Sequence, residues 1–222
     1  MKPIIGILLR EKENKERNLI GINKEVSDMV IRCGGIPIGI IPNYLDNFID
    51  NDYYSGKKMT TNELNEIKKI INLCDGIIIP GGSEFHDIDI KIIKYVHNID
   101  LPCLGICAGM QAMGFAYNGK LDHIENDNHN KNDDYVHSVS IKKDSKIHEI
   151  LNKNYILVNS RHNDKIINTD LDIVGYSDDI IEIVEDKNKK FFIGVQWHPE
   201  SIIMYDNVSQ KLIKEFIKKA SN

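Results

Sequence analysis

The sequence predicts an α/β fold: a mostly parallel central sheet with helices on both faces, extended by antiparallel strands in the C-terminal half. Three observations predict it. Short continuous apolar runs such as Ile36 to Ile41, Ile77 to Ile79 and Leu101 to Ile106 lack polar alternation, as strands covered on both faces require. Segments of helical period separate them, which is the order of βαβ units and a parallel sheet. Beyond Tyr135 the strand-like runs come close together, and Asp186-Lys187-Asn188-Lys189 turns one of them back on the next, which gives antiparallel pairs.

A chain of 222 residues suffices for one α/β domain with a substantial core, so residues 1–222 are read as one unit, with no internal repeat or interdomain linker. The net charge is -5, from 28 Lys and Arg against 33 Asp and Glu, with no basic block. That balance argues against nucleic acid or an anionic membrane as the main partner and fits a small-molecule substrate. The N-terminus turns directly into an apolar strand without a signal-type hydrophobic region, and no apolar run reaches membrane-spanning length, which predicts a cytoplasmic protein. In that setting Cys33, Cys74 and Cys103 are expected as reduced core residues.

In chain order, Pro3 to Leu9 reads as the first strand and Arg10 to Arg17 as a charged loop. Ile22, Val26, Met29, Val30 and Cys33 recur at helical spacing until Gly34-Gly35 stops the helix. Ile36 to Ile41 is the second strand, and Pro42 opens a polar loop running through Asn51 to Tyr54. Thr60 with Glu63 forms a capping box for a helix whose buried stripe is Leu64, Ile67, Ile70 and Ile71. Asp75 to Ile79 is the third strand, followed by Pro80-Gly81-Gly82, a helix from about Asp87 to His97, and the strand Leu101 to Ile106. Asp122 to Asp134 is too polar to bury a face and is expected to be a mobile loop. Its His and carboxylate groups have no diagnostic ligand spacing, so no metal is expected there. Strands follow at Tyr135 to Ile141, Tyr155 to Asn159, Ile173 to Tyr176, Ile180 to Glu185 and Phe191 to Val195. A last amphipathic helix carries Leu212, Ile213, Phe216, Ile217 and Ala220 on one side.

The chemistry concentrates at the end of the Leu101 to Ile106 strand. Cys107 sits at the joint between that strand and a helix, with Gly105 and Gly109 two residues to either side. A sharp strand-to-helix turn that displays a nucleophile needs small neighbours of this kind, and a helix N-terminus favours the thiolate. A core cysteine would look the same over this stretch alone. A second stretch decides between the readings: Gly194-Val195-Gln196-Trp197-His198-Pro199-Glu200 delivers a His and a Glu two positions apart after an apolar strand. In extended chain these two share a face, which supplies a base and a group to orient it.

Together, Pro80-Gly81-Gly82, Gly105-Ile106-Cys107-Ala108-Gly109-Met110-Gln111 and Gly194 to Glu200 resemble the class I glutamine amidotransferase superfamily. Val158-Asn159-Ser160-Arg161-His162 looks most like its γ-glutamyl-γ-aminobutyrate hydrolase branch, peptidase family C26. The resemblance covers roughly the whole chain and implies a flavodoxin-like sheet, no cofactor and a Cys-His-Glu triad of Cys107, His198 and Glu200. It places the oxyanion of a γ-glutamyl amide on the backbone N–H groups of Ala108 and Gly82. It further implies that Gln111 holds the α-amino or α-carboxylate group and that Ser160 and His162 contact the substrate or position its carbonyl. A satisfied buried amide and a polar strand-end loop are the plain structural alternatives. His137 matches a strand position of the family without a role.

The chain departs from that branch at Ala108, where Arg is usual, and at Asn163-Asp164, where Gln is usual. Both changes touch the subsites that select the leaving amine. The resemblance therefore implies a cysteine-dependent hydrolase of γ-glutamyl amides or glutamine acting through a thioester. Its alternatives are the glutaminase subunit of a two-component amidotransferase with a synthetase partner and a catalytically silent binding protein on the same fold.

Overall fold

The structure, a computed structural model, describes residues 1–13, 18–43, 58–125 and 127–221. The chain begins with β1 (Ile4–Leu8), then β2 (Arg10–Glu13) and β3 (Asn18–Gly21), which pair antiparallel. The expected charged loop from Arg10 is thus a strand over its first four residues. Charge does not prevent pairing at a hairpin edge, where the backbone supplies the bonds and the side chains need no core. Next come α1 (Lys24–Arg32), β4 (Ile36–Ile40), α2 (Thr61–Ile71), β5 (Gly76–Ile79), α3 (Asp87–Asn98), β6 (Cys103–Ile106) and α4 (Ala108–Ala116). The expected loop through Asn51 to Tyr54 lies outside the described residues.

The helix starts follow their local chemistry. At α2 the predicted capping box is present in both directions: the Thr60 N–H donates to Glu63 Oε2 at 2.6 Å, and the Glu63 N–H donates to Thr60 Oγ1 at 3.3 Å. Val26, Met29 and Val30 of α1 are buried, and Gly34, at φ 98°, follows the helix.

The second half contains β7 (Lys120–His123), a 3-10 turn (Asp127–His129), β8 (Asn130–Lys131), β9 (His137–Ile141), α5 (Lys146–Leu151), β10 (Tyr155–Val158), β11 (Ser160–Arg161) and β12 (Asp164–Asn168). It ends with β13 (Asp172–Ser177), β14 (Ile180–Glu185), β15 (Phe192–Val195), α6 (Pro199–Ile202) and α7 (Asn207–Ala220). The stretch expected as a mobile polar loop is instead built into the fold. β7 pairs with β12, β8 pairs with β11, and His129 is only 5% exposed. Two- to five-residue pairings satisfy backbone groups without an apolar period, so polarity alone misread this region.

Nine strands form the central sheet in the order β10-β9-β13-β14-β15-β6-β5-β1-β4. The pairs from β15 through β6, β5 and β1 to β4 are parallel, whereas those from β15 to β10 are antiparallel. This is the mixed sheet that the spacing predicts. One face packs on α1, α5 and α7 and the other on α2, α3 and α4. Alternation divides the strands between them: Ile78, Leu104 and Ile106 face the first cluster, and Ile77, Ile79 and Cys103 the second. The α7 stripe predicted from the sequence is buried at all five positions, and a side chain such as Phe216 contributes roughly 1.5–3 kcal/mol by leaving water. Among the described residues no helix is long and apolar enough to cross a membrane.

Candidate active site

β6 and β15 are neighbouring parallel strands, with Ile106 beside Val195, so the residues that follow them emerge at the same edge of the sheet. Cys107 follows β6 and caps α4 with φ 51° and ψ -109°. A non-glycine residue held there stores on the order of 1–3 kcal/mol of strain, which the surrounding packing must sustain. The flanking glycines are required by contact: a Cβ at Gly105 would lie 2.8 Å from the Gly109 carbonyl oxygen, and one at Gly109 only 2.0 Å from that of Ile79. The Cys107 N–H donates to Val195 O at 2.9 Å, so the backbone of Cys107 is fixed to the strand that delivers His198.

His198 leaves β15 and becomes the N-cap of α6. The extended geometry expected for His198 to Glu200 is not what joins them: Pro199 and Glu200 form the first helical turn, which folds the carboxylate back onto the ring. His198 Nδ1 and Glu200 Oε1 are 2.7 Å apart. Proline at the first helical position has no N–H to lose, so the turn starts there without cost. Burial alone would make the imidazole less basic. The Cys107 sulfur and then the Glu200 carboxylate outweigh it by charge and hydrogen bonding, and His198 is held well above the ordinary histidine range.

Cys107, His198 and Glu200 line one cavity of about 770 Å³ together with Pro80, Gly81, Gly82 and Arg161. Gly81 stands closest, for a Cβ there would meet His198 Cε1 at 2.9 Å and Cys107 Cβ at 3.5 Å. Gly82 lies beside Arg10, and Ala108 is the first residue of α4, directly after Cys107. The structure thus places the three expected triad residues and Gly82 on one cavity wall, with Ala108 the chain neighbour of Cys107 but not itself on the lining. The other three expected residues, Gln111, Ser160 and His162, do not line this cavity. Gln111 Nε2 donates to Asp164 O at 2.9 Å and to Gln196 Oε1 at 3.3 Å. Ser160 Oγ donates to His129 O at 2.6 Å, and His162 Nδ1 lies 3.0 Å from Asp164 O.

Three further residues shape the site without a sequence signal of their own. Arg10 is buried, pairs with the fully buried Asp89 at 2.6 Å and donates from Nη2 to Pro80 O at 2.8 Å, which ties down the Pro80-Gly81-Gly82 loop. Gln196 Nε2 donates to Cys107 Sγ at 3.7 Å. Asn159 bonds to the backbone of His198. Asn159 and Gln196 sit inside recognisable stretches, but only the folded contacts show what they hold.

The fold is an α/β sheet with a cysteine at a strand-to-helix turn, and the family model for class I glutamine amidotransferases matches residues 40–219. The chain belongs to the class I glutamine amidotransferase family, whose domains are cysteine-dependent glutamine-hydrolysing enzymes. A glutamine amidotransferase-like protein of Rickettsia prowazekii is 27% identical across 98% of this chain and 97% of its own length. A glutamine amidotransferase of Schizosaccharomyces pombe is 30% identical over 87% of this chain and 80% of its own. The CTP synthase of Levilactobacillus brevis is 26% identical over 80% of this chain, which spans 39% of that protein. Among solved structures, the glutaminase domain of Trypanosoma brucei CTP synthase superposes with a TM-score of 0.66 at 17% identity, over 99% of this chain and 94% of that one. This last likeness shows the fold.

Proposed function

We propose that the chain hydrolyses γ-glutamyl amides, releasing glutamate and an amine or ammonia, with Cys107 as nucleophile, His198 as proton carrier and Glu200 as its orienting partner. The observation that carries this reading is the strained Cys107 beside an imidazole whose Nδ1 is taken by Glu200, at the wall of a cavity lined by Gly81 and Gly82. The Cys107 thiolate attacks the γ-carbonyl carbon, and the backbone N–H groups of Gly82 and Ala108 receive the oxyanion. The C–N bond breaks as the amine takes the proton of the imidazolium, which leaves a γ-glutamyl thioester. His198 then takes a proton from water, the hydroxyl adds to the thioester, and the C–S bond breaks to give glutamate and the thiolate.

Gln111 acts on the nucleophile's side of the site: its Nε2 donates to Gln196 Oε1, and Gln196 Nε2 in turn donates to Cys107 Sγ. Ser160 and His162, whose side chains are turned to interior partners, are assigned to holding the segment next to Asn159 and not to contact with the substrate. A free-standing hydrolase needs its oxyanion loop set in advance. The buried Arg10–Asp89 pair with its bond to Pro80 O supports that, since it fixes the loop from inside this chain. A second reading, a glutaminase serving a separate synthetase, draws on the CTP synthases among the relatives.

Glutamate release by the purified chain, with glutamine and a panel of γ-glutamyl amines, separates the two. Steady turnover together with a thioester on Cys107 by mass spectrometry, absent in Cys107→Ala, is expected. Trace hydrolysis on every substrate with strong stimulation by a co-purifying protein would move the assignment to the synthetase-coupled reading.

A further inference from the structure

Away from the triad cavity, four polar side chains from four separate stretches of chain converge in the interior. His129 closes the 3-10 turn, His137 opens β9, His162 lies between β11 and β12, and Glu182 belongs to β14. Glu182 is fully buried, and His129 and His162 are each 5% exposed. Three different ring nitrogens point at one carboxylate oxygen: His129 Nδ1 at 3.4 Å, His137 Nε2 at 3.5 Å and His162 Nε2 at 3.6 Å from Glu182 Oε1. All four atoms lie within 4.8 Å of one another. Among the described residues, none of these nitrogens and neither oxygen of Glu182 has a hydrogen-bond partner.

The distances decide what such a cluster is for. A charge-assisted hydrogen bond between imidazolium and carboxylate runs at about 2.7–2.9 Å, so three contacts of 3.4 to 3.6 Å are too long to be one. Four ligands each about 2.0–2.1 Å from a tetrahedral ion stand roughly 3.3–3.4 Å apart along every edge. The three spacings from the carboxylate oxygen are close to that, and the nitrogens, within 4.8 Å of one another, would draw together around a bound ion. The ring orientation of His162 fits as well. Its Nδ1 lies 3.0 Å from the Asp164 carbonyl oxygen, which fixes the proton there and leaves the Nε2 lone pair aimed into the cluster, the usual outer support of a metal-bound histidine.

We propose that His129, His137, His162 and Glu182 form a binding site for one tetrahedrally coordinated divalent transition ion, with Zn²⁺ the best match. Three imidazoles and one carboxylate are borderline donors that suit Zn²⁺, whereas Mg²⁺ and Ca²⁺ require shells of oxygen. Four protein ligands close the coordination, so the site is a structural one. His137, the least buried of the four at 13% side-chain exposure, marks the way in.

Its place in the fold gives it a positioning role. The site ties the Asp127–His129 turn to β14, and the His129 carbonyl in turn accepts from Ser160 Oγ at 2.6 Å and from the His162 N–H at 2.9 Å. The next residue back, Asn159, holds the backbone of His198. The ion therefore braces the segment that supports the proposed base, without touching the reacting atoms.

The test reads metal binding, so it stands apart from turnover on any substrate. Untagged full-length protein, stripped with a chelator, reloaded with excess Zn²⁺ and desalted, is expected to retain about one ion per chain by elemental mass spectrometry. Co²⁺ in its place should give the intense visible bands of a tetrahedral site. A variant carrying both His129→Ala and His137→Ala, with its fold checked by circular dichroism, should lose the ion and the bands. Should that variant not fold, the shape-preserving Glu182→Gln carries the same comparison, with Zn²⁺ affinity expected to fall about tenfold or more. Retention of less than about a tenth of an ion by the reloaded wild type, a weak octahedral Co²⁺ spectrum, or binding unchanged in the variants would overturn the proposal.

Discussion

Asn159 grips His198 from both sides of its backbone. Its Nδ2 donates to His198 O and its Oδ1 accepts the His198 N–H, each at 2.8 Å, and the amide itself is fully buried. The imidazole is thereby set by a residue from β10's end as well as by Glu200. Asn159→Ala leaves two buried backbone groups unpaired and is expected to cost about 1–3 kcal/mol of stability. The base loses its placement at the same time, and a fall in kcat/KM of roughly tenfold to a hundredfold is expected. Denaturant titration and steady-state kinetics on the same preparation read the two effects. A variant with wild-type kcat/KM would remove Asn159 from the positioning of His198.

Gly81→Ala tests how tightly the site is packed. Gly81 is not among the described glycines at positive φ, so alanine is compatible with its backbone, but the new Cβ would stand 2.9 Å from His198 Cε1. The ring must move by a few tenths of an ångström. Glutamate release is expected to drop by about tenfold or more while the thermal midpoint stays near that of the wild type. Unchanged kinetics would place the imidazole farther from this loop than the geometry has it.

The four thiols should react unequally. Burial raises the thiols of Cys33 and Cys103, and burial followed by the nearby Asp75 raises Cys74 to about 11. Cys107 lies on the wall of the cavity beside His198, whose imidazole Cys107 and Glu200 favour in its protonated form. Brief iodoacetamide treatment near neutral pH should label Cys107 first, as peptide mass mapping would show. Labelling that spares Cys107 is incompatible with its proposed role.

The His198 environment also makes a prediction about pH. Its folded-state pKa is raised above the ordinary 6.5, against the effect of burial, by Cys107 and Glu200. The associated stabilisation is complete below the unfolded value and is lost as pH rises through the folded one. Wild-type stability should therefore carry a His198-linked decline on the alkaline side of neutrality. In Cys107→Ala the largest favourable contribution is gone, and the decline should move to lower pH. Denaturation midpoints across a pH series in the two proteins provide the measurement, and identical profiles would disconnect sulfur and ring.

Arg10→Met probes the support of the oxyanion loop. It leaves Asp89 buried without its partner at 2.6 Å and frees Pro80 O, so a destabilisation of about 3–5 kcal/mol is expected. If the fold survives and the Gly82 N–H receives the oxyanion as proposed, kcat should fall more than KM rises.

Much of this was legible in the sequence because it is written in local chemistry. Continuous apolar runs mark buried strands, Thr60 and Glu63 mark a helix start, and Gly105 and Gly109 mark the turn around Cys107. Three ordered stretches pointed to the family. What stayed hidden depends on contacts between distant residues. Arg10 looks like any charged loop residue until Asp89 is placed against it. His198 and Glu200 were paired for the wrong reason, since a helical turn joins them where extended alternation was expected. Asp122 to Asp134 looked solvated because its short strands pair with Ser160 to Asn168, and no periodicity announces a two-residue strand. His129, His137, His162 and Glu182 have no motif spacing, because each comes from a different element.

The position of β15 also bears on how the protein assembles. It lies between β6, the last strand of the parallel half, and β14, the first of the antiparallel half, so it is the seam of the sheet. It is also the strand that delivers His198, and it reaches that seam only after every other strand has been made. Until it inserts, the chain carries a cysteine with no base beside it, and the two half-sheets have no common hydrogen bonds. The strand that joins the two half-sheets is thus also the one that sets His198 beside Cys107.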